Sequence, residues 1–206
     1  MKQRAGVFAS GTGSNFEAMM QDEKIASSIA LLVCDKPGAS VIEKAKSLSV
    51  PTLVFDPKQY PSKQAYEAVI YEKMQSFQVE WIFLAGYMRL IGETLLAHYE
   101  GRIVNIHPSL LPSFPGKNAI GQALQGAVSK TGVTIHYVDK GMDTGPIIAQ
   151  EEVPIIQGET EEQLKLRIQA VEHCLYPRVI KQLITDKCPQ NSPEKISSKK
   201  NGTEEL

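Results

Sequence analysis

Asn105-Ile106-His107-Pro108-Ser109 places an amide and an imidazole two residues apart. On a β-strand, residues at that spacing share one face. Two donors side by side suit the negative oxygen that develops when a nucleophile adds to a carbonyl carbon. The plain alternative is a core histidine satisfied beside a turn. A second cluster, Asp139-Lys140-Gly141-Met142-Asp143-Thr144-Gly145-Pro146, joins acidic and hydroxyl side chains to two glycines. It reads either as a tight surface turn or as a loop that delivers a carboxylate to a histidine. His136, just upstream, is the other histidine to follow. His98 and His173 fall within helical patterns, where a histidine is usually bland.

The third cluster is Ser10-Gly11-Thr12-Gly13-Ser14-Asn15. It follows an apolar run and opens a helical pattern, so helix N–H groups and close-approaching glycine backbone meet there. An anion, most naturally a phosphate, fits such a place. No Gly-Lys-Ser/Thr follows, which excludes a Walker loop. Phe16 stands where a dinucleotide fingerprint has its third glycine. Asp35, in the position of a ribose-binding acid, keeps that reading open, as it does the reading of a glycine turn without a ligand. Ser14 lacks the Gly-x-Ser-x-Gly elbow of a hydrolase.

Elements able to hold these clusters alternate along the chain. Strand-like runs at 5–9, 29–34, 52–55 and 81–85 are interleaved with helical patterns at 15–22, 40–48 and 62–77. In the last of these, Tyr66, Val69, Ile70, Met74 and Phe77 recur on one face, and Ser62 is placed to cap it. The second half offers strands at 102–106, 133–138 and 147–153, a proline-rich loop at 108–116, and a long helix over 160–184. Apolar Leu164, Ile168, Val171, Leu175, Val179 and Leu183 line that helix, with a kink or break expected at Pro177. The expectation is an α/β fold: a single domain with a mostly parallel twisted sheet and helices on both faces, Rossmann-like in type. Residues 1–185 form that domain. Residues 186–206, rich in Ser, Lys, Pro, Asn and Glu, are expected to be a disordered tail.

Composition narrows the function classes. With 42% hydrophobic residues, 22% charged residues and a net charge of −1, nothing in the total calls for a nucleic acid or an anionic membrane. No apolar run reaches the ~18 residues of a membrane span, nor does the start resemble a signal peptide. Cys34, Cys174 and Cys188 are odd in number and widely spaced. They suggest neither a disulfide framework nor a structural zinc site, and a reducing, cytoplasmic setting is expected. No His/Cys/Asp/Glu spacing resembles a metal site.

Taken together, the 10–15 loop, Leu84-Ala85-Gly86-Tyr87-Met88-Arg89, Asn105-Ile106-His107-Pro108-Ser109-Leu110-Leu111-Pro112 and Asp143-Thr144-Gly145-Pro146 resemble the glycinamide ribonucleotide formyltransferases. These are folate-dependent enzymes of purine biosynthesis. The resemblance covers about residues 2–183, and the Asn-x-His-Pro-Ser run followed by an Asp-x-Gly-Pro loop is its most specific part. It implies that Asn105, His107 and Asp143 are the catalytic trio. Gly11, Thr12, Gly13, Ser14 and Asn15 would hold the ribonucleotide phosphate and sugar, with Glu172 a further substrate-binding acid. The folate would lie against Met88, Arg89, Leu90 and Ile91 on one side, and against Asp139, Lys140, Gly141, Met142 and Asp143 on the other. Lys63 falls where some relatives carry an arginine near the folate, keeping the charge without the planar fork. Residues 117–121 depart from relatives that have histidines and an arginine there, and receive no catalytic role.

The resemblance implies attack of the glycinamide ribonucleotide amine on the formyl carbon of 10-formyltetrahydrofolate. Asn105 and protonated His107 would donate to the resulting oxyanion. Asp143 would keep the imidazolium available and help remove the amine proton. No metal and no nucleic acid are called for, and the chain is expected to act as a monomer or homodimer. Methionyl-tRNA formyltransferases and formyltetrahydrofolate deformylases are the nearest rivals, but both usually carry an extra domain for which this chain shows no pattern. A nucleotide-binding module without catalysis would use the 10–15 loop and Asp35. It gives no reason for the Asn-x-His pair.

Overall fold

A computed structural model describes residues 3–185. The expected tail over 186–206, with Cys188, lies outside the described residues. The strands are β1 (Ala5–Ala9), β2 (Ile29–Cys34), β3 (Thr52–Val54), β4 (Trp81–Leu84), β5 (Ile103–His107), β6 (Lys130–Tyr137) and β7 (Ile147–Pro154). They form one sheet in the order β3-β2-β1-β4-β5-β6-β7. The first five run parallel; β6 pairs antiparallel with β5, and β7 antiparallel with β6, so β7 again runs with the first five. The mostly parallel α/β sheet expected from the alternation is what forms.

Helices cover both faces. α1 (Ser14–Met20), α2 (Glu23–Ala26), α3 (Ser40–Ser47), α6 (Ala119–Gln125) and α7 (Glu161–Thr185) bury their apolar sides on one face, where Phe16, Ile25, Val41 and Ile168 meet Val7, Leu32, Phe83 and Val104. α4 (Lys63–Ser76) and α5 (Glu93–His98) cover the other, where Tyr66, Ile70, Met74 and Leu95 meet Phe8, Val33 and Ile82. Strand residues two apart join the same core, as the pleat requires. Runs such as Ile29–Cys34 are buried throughout because both faces are covered.

Local chemistry explains where the expected boundaries move. The pattern at 15–22 forms α1 and stops at Met20; beyond it, the Asp22 side chain accepts from Lys24 N and Ile25 N and starts a further helix, α2. Ser62 caps α4 as expected, accepting from Ala65 N at 3.2 Å. α6, seven residues long and containing Gly121, has no counterpart in the sequence reading. Of the kink or break expected at Pro177, no break occurs: α7 continues through it as one helix. Leu175, Tyr176, Val179 and Ile180, on both sides of the proline, are buried against the sheet. That packing outweighs the lost N–H bond.

The connectivity sets the position of the site. From β1 the chain winds outward through β2 to β3, then crosses back to β4 on the other side of β1. Loops leaving the carboxyl ends of β1 and β4 therefore diverge and open a crevice, the usual ligand position in such sheets.

Candidate active site

Asn105 and His107 lie on β5, on the face opposite Val104 and Ile106, as alternation predicts. Their partners across the antiparallel ladder are His136 and Thr134. His107 Nε2 lies 2.9 Å from the Phe114 carbonyl, an acceptor only, so that nitrogen carries a hydrogen and donates it. Nδ1 faces Asp143 Oδ2 at 3.4 Å. With Nε2 occupied, Nδ1 is the ring position left to serve a ligand.

The Asp143 carboxylate joins the cluster. Oδ2 accepts from Gly116 N at 2.7 Å, and Oδ1 lies 3.4 Å from Asn105 Nδ2 and 3.6 Å from His136 Nε2. Burial alone would push this carboxyl up; the His136 ring, the Gly116 N–H and His107 together outweigh burial and hold it below its usual value. His136 Nδ1 donates to the Tyr137 carbonyl at 2.8 Å, and its Nε2 lies 3.2 Å from Asn105 Nδ2.

The approach of Asp143 differs from the simplest expectation, in which the loop leaves the sheet beside the end of β5. β6 runs against β5, with Tyr137 opposite Val104 and Val138 N donating to Ile103 O. The loop thus departs near the start of β5 and folds back toward His107. Asp143 holds a positive φ of 55° within that return. Gly145, two residues on, passes so close to Tyr137 that a Cβ would meet its carbonyl oxygen at 1.8 Å. Asp139 shapes the outer part of the loop, accepting from Gly141 N at 3.0 Å and Thr144 Oγ1 at 2.7 Å. Met142 is 50% exposed there.

The glycine loop follows β1. Gly13 has φ 76°, and a Cβ on it would lie 2.5 Å from Val41 Cγ2, so this turn is pressed onto α3 where only glycine fits. Asn15 Nδ2 donates to Glu172 Oε2 at 3.0 Å, joining α1 to α7 across 157 residues. Burial pushes the Glu172 carboxyl up, and the Asn15 amide only partly offsets it. Asn15 Oδ1 is buried with no hydrogen-bond partner among the described residues.

After β4 come Met88 and Leu90, 70% and 55% exposed, alternating with Arg89, which pairs with Asp35, and with buried Ile91. Asp35 does not stand free as a ribose-binding acid would. It accepts Ser10 Oγ at 2.5 Å and Arg89 Nε at 2.6 Å, which removes the main support for a dinucleotide site. Lys63 starts α4 beside Gly92 and Glu67, at the far end of the 88–91 loop. Sequence reasoning left out the Phe114 carbonyl and the Gly116 N–H, since backbone groups carry no residue signal. It singled out His136 without a role. Among the described residues no group of His, Cys, Asp and Glu is arranged to hold a metal ion.

Polar donors and a carboxylate gathered over the end of β5, beside a glycine-rich turn, define an α/β enzyme class equipped for group transfer at a carbonyl carbon. Residues 3–180 match the family described as Formyl transferase, and the chain belongs to that family. It is 54% identical over 185 residues to the phosphoribosylglycinamide formyltransferase of Bacillus subtilis (strain 168), covering 88% of this chain and 95% of that relative. The glycinamide ribonucleotide transformylase 1 structure from Geobacillus kaustophilus superposes with a TM-score of 0.87 at 59% identity, covering 89% of this chain and 100% of that one. The phosphoribosylglycinamide formyltransferase structure from Bacillus halodurans gives 0.85 at 55%, covering 89% and 96%.

Proposed function

We propose that the chain transfers the formyl group of 10-formyltetrahydrofolate to the amine of glycinamide ribonucleotide, a step of purine biosynthesis. The observation that carries this reading is the convergence of Asp143 on both Asn105, 38 positions earlier, and His107, beside the crevice between β1 and β4. The names of the relatives above support the same substrate pair. Residues 11–15 and Glu172 hold the ribonucleotide, its phosphate against the N-terminus of α1. The exposed Met88 and Leu90 on one side and Met142 on the other suit the two faces of a flat pterin ring. Residues 1–185 act as one domain, and the chain works in the cytoplasm. No described helix is long and apolar enough to cross a membrane.

Amine attack on the formyl carbon places negative charge on its oxygen. Asn105 Nδ2 and His107 Nδ1 turn from Asp143 to that oxygen and stabilise it. Asp143, ionised and freed of part of its contacts, accepts the proton that the amine must release, directly or through water. The proton is returned to the departing folate nitrogen as the carbon–nitrogen bond breaks. Asn105→Ala and His107→Ala should each lower kcat about 10²–10³-fold, with ribonucleotide affinity within about twofold of the wild type. Folate absorbance kinetics and calorimetric titration check this. Near-normal turnover in both variants would remove the proposed roles.

A further inference from the structure

Asp35 immediately follows β2 at 8% exposure, and the transfer chemistry makes no use of it. Its Oδ1 accepts the Ser10 hydroxyl hydrogen at 2.5 Å, and its Oδ2 receives Arg89 Nε at 2.6 Å. A serine hydroxyl has one hydrogen, so giving it to Asp35 leaves only lone pairs for other neighbours. Met88 N–H donates to that oxygen at 2.9 Å. The direction of each bond is therefore fixed by the next. If the hydroxyl turned away, Asp35 Oδ1 would lose its donor and Met88 N its acceptor, an unfavourable state under partial burial.

The chain of bonds connects two loops with different tasks. Ser10 immediately precedes Gly11, whose carbonyl accepts from Val41 N at 3.2 Å, and Ser10 N itself donates to Gly86 O at 3.2 Å. Met88 and Arg89 begin the folate wall, and Arg89 is the residue that Asp35 grips there. An exposed ion pair alone would position little. Here the Asp35 side chain is 6% exposed and has a donor on each oxygen, one from each loop.

We infer that Asp35 is a positioning residue that locks the 10–15 loop to the 88–91 loop, so that the nucleotide and folate sites weaken together when it is removed. The inference rests on the assignment of those two loops under Proposed function. Steady-state kinetics with both substrates, pH–rate profiles and thermal unfolding of the full chain test it. Asp35→Ala should raise KM for glycinamide ribonucleotide and for 10-formyltetrahydrofolate roughly tenfold each, the scale of one lost charge-assisted hydrogen bond. Its kcat should stay within about threefold and its pH–rate profile in place, because Asn105, His107 and Asp143 keep their contacts. Asp35→Asn retains an acceptor for Ser10 but turns an amide N–H toward Arg89, so it should raise the folate KM and spare the nucleotide KM. Ser10→Ala should behave as Asp35→Ala does, with the double variant adding little. It carries the same test if Asp35→Ala does not fold. A folded Asp35→Ala protein with either KM within about twofold of the wild type, or with kcat reduced and both KM values unmoved, would overturn the inference. Failure of the underlying loop assignment gives a separate signal: Asn15→Ala, which alters the nucleotide loop directly, would then leave the ribonucleotide KM unchanged.

Discussion

His107 is held by a carbonyl on one nitrogen and a carboxylate on the other, and Asp143 is the group whose charge that arrangement needs most. Its carboxyl sits below the usual value in the folded protein, against about 3.9 when unfolded. The contacts of the ionised form therefore add stability above the unfolded value, and this is lost as pH falls through the lower folded value. Asp143→Asn should unfold at lower denaturant than the wild type at pH 7, with the gap closing as pH falls below about 3.9. Equal midpoints at neutral pH would contradict the placement of this carboxylate. The Asn105–His107 pair was legible in the sequence because a strand's two-residue period is strict. The reach of Asp143 was not, since proximity across 38 positions depends on which way β6 runs. Asp35 was legible as a strand-end acid but not as a partner of Arg89, which lies 54 residues on.

Between β4 and α5, the loop from Met88 to Gly92 is fastened at both ends by side chains from other elements. Ser10 Oγ takes Met88 N at 2.9 Å, and Glu67 Oε1 from α4 takes Gly92 N at 2.6 Å, acting as a cap that α5 lacks locally. Glu67 is 2% exposed and its Oε2 has no hydrogen-bond partner among the described residues. Burial raises its carboxyl above the ordinary value, outweighing the Gly92 N–H, Lys63 and the Leu95 N–H. A raised folded value means that the ionised form is penalised on folding, so wild-type stability falls as pH rises from about 4.3 through that value. Glu67→Gln keeps an acceptor for Gly92 and never ionises. It should be more stable than the wild type at pH 7 and indistinguishable near about pH 4, read from thermal midpoints. A less stable Gln variant at neutral pH would show that the charge itself holds the cap. The long α4 pattern was readable because its apolar repeat spans several turns. α6 was not, being two turns long with a glycine inside, and its place follows from packing against α7 and β6.

Across the whole molecule, α7 ties the late part of the chain to the early part. Tyr176 is fully buried, and its hydroxyl lies 3.0 Å from both the Leu84 and Val104 carbonyls at the β4–β5 junction. One turn earlier, Glu172 meets Asn15. Tyr176→Phe removes the hydroxyl without opening a cavity and should cost about 1–2 kcal/mol, lowering the thermal midpoint by roughly 2–8 °C with kcat little changed at 25 °C. A midpoint unmoved within a degree would mean that the sheet carbonyls need no help from the helix. Fold class was readable because the alternation of strands and helices admits few architectures. The antiparallel turn at β6 was not, for an apolar run of that length is the same read in either direction.

That reversal has a consequence for how this protein tolerates change. Surface connections usually accept added or deleted residues with little penalty. The span between Tyr137 and Ile147 is different, because it must travel back along β5 before handing its acid to His107. Each inserted residue lengthens such a path by up to about 3.5 Å, more than the margin of any contact that Asp143 makes. Its residue count is thus as constrained as its chemistry, and an insertion here would disable the enzyme while leaving the barely perturbed fold intact.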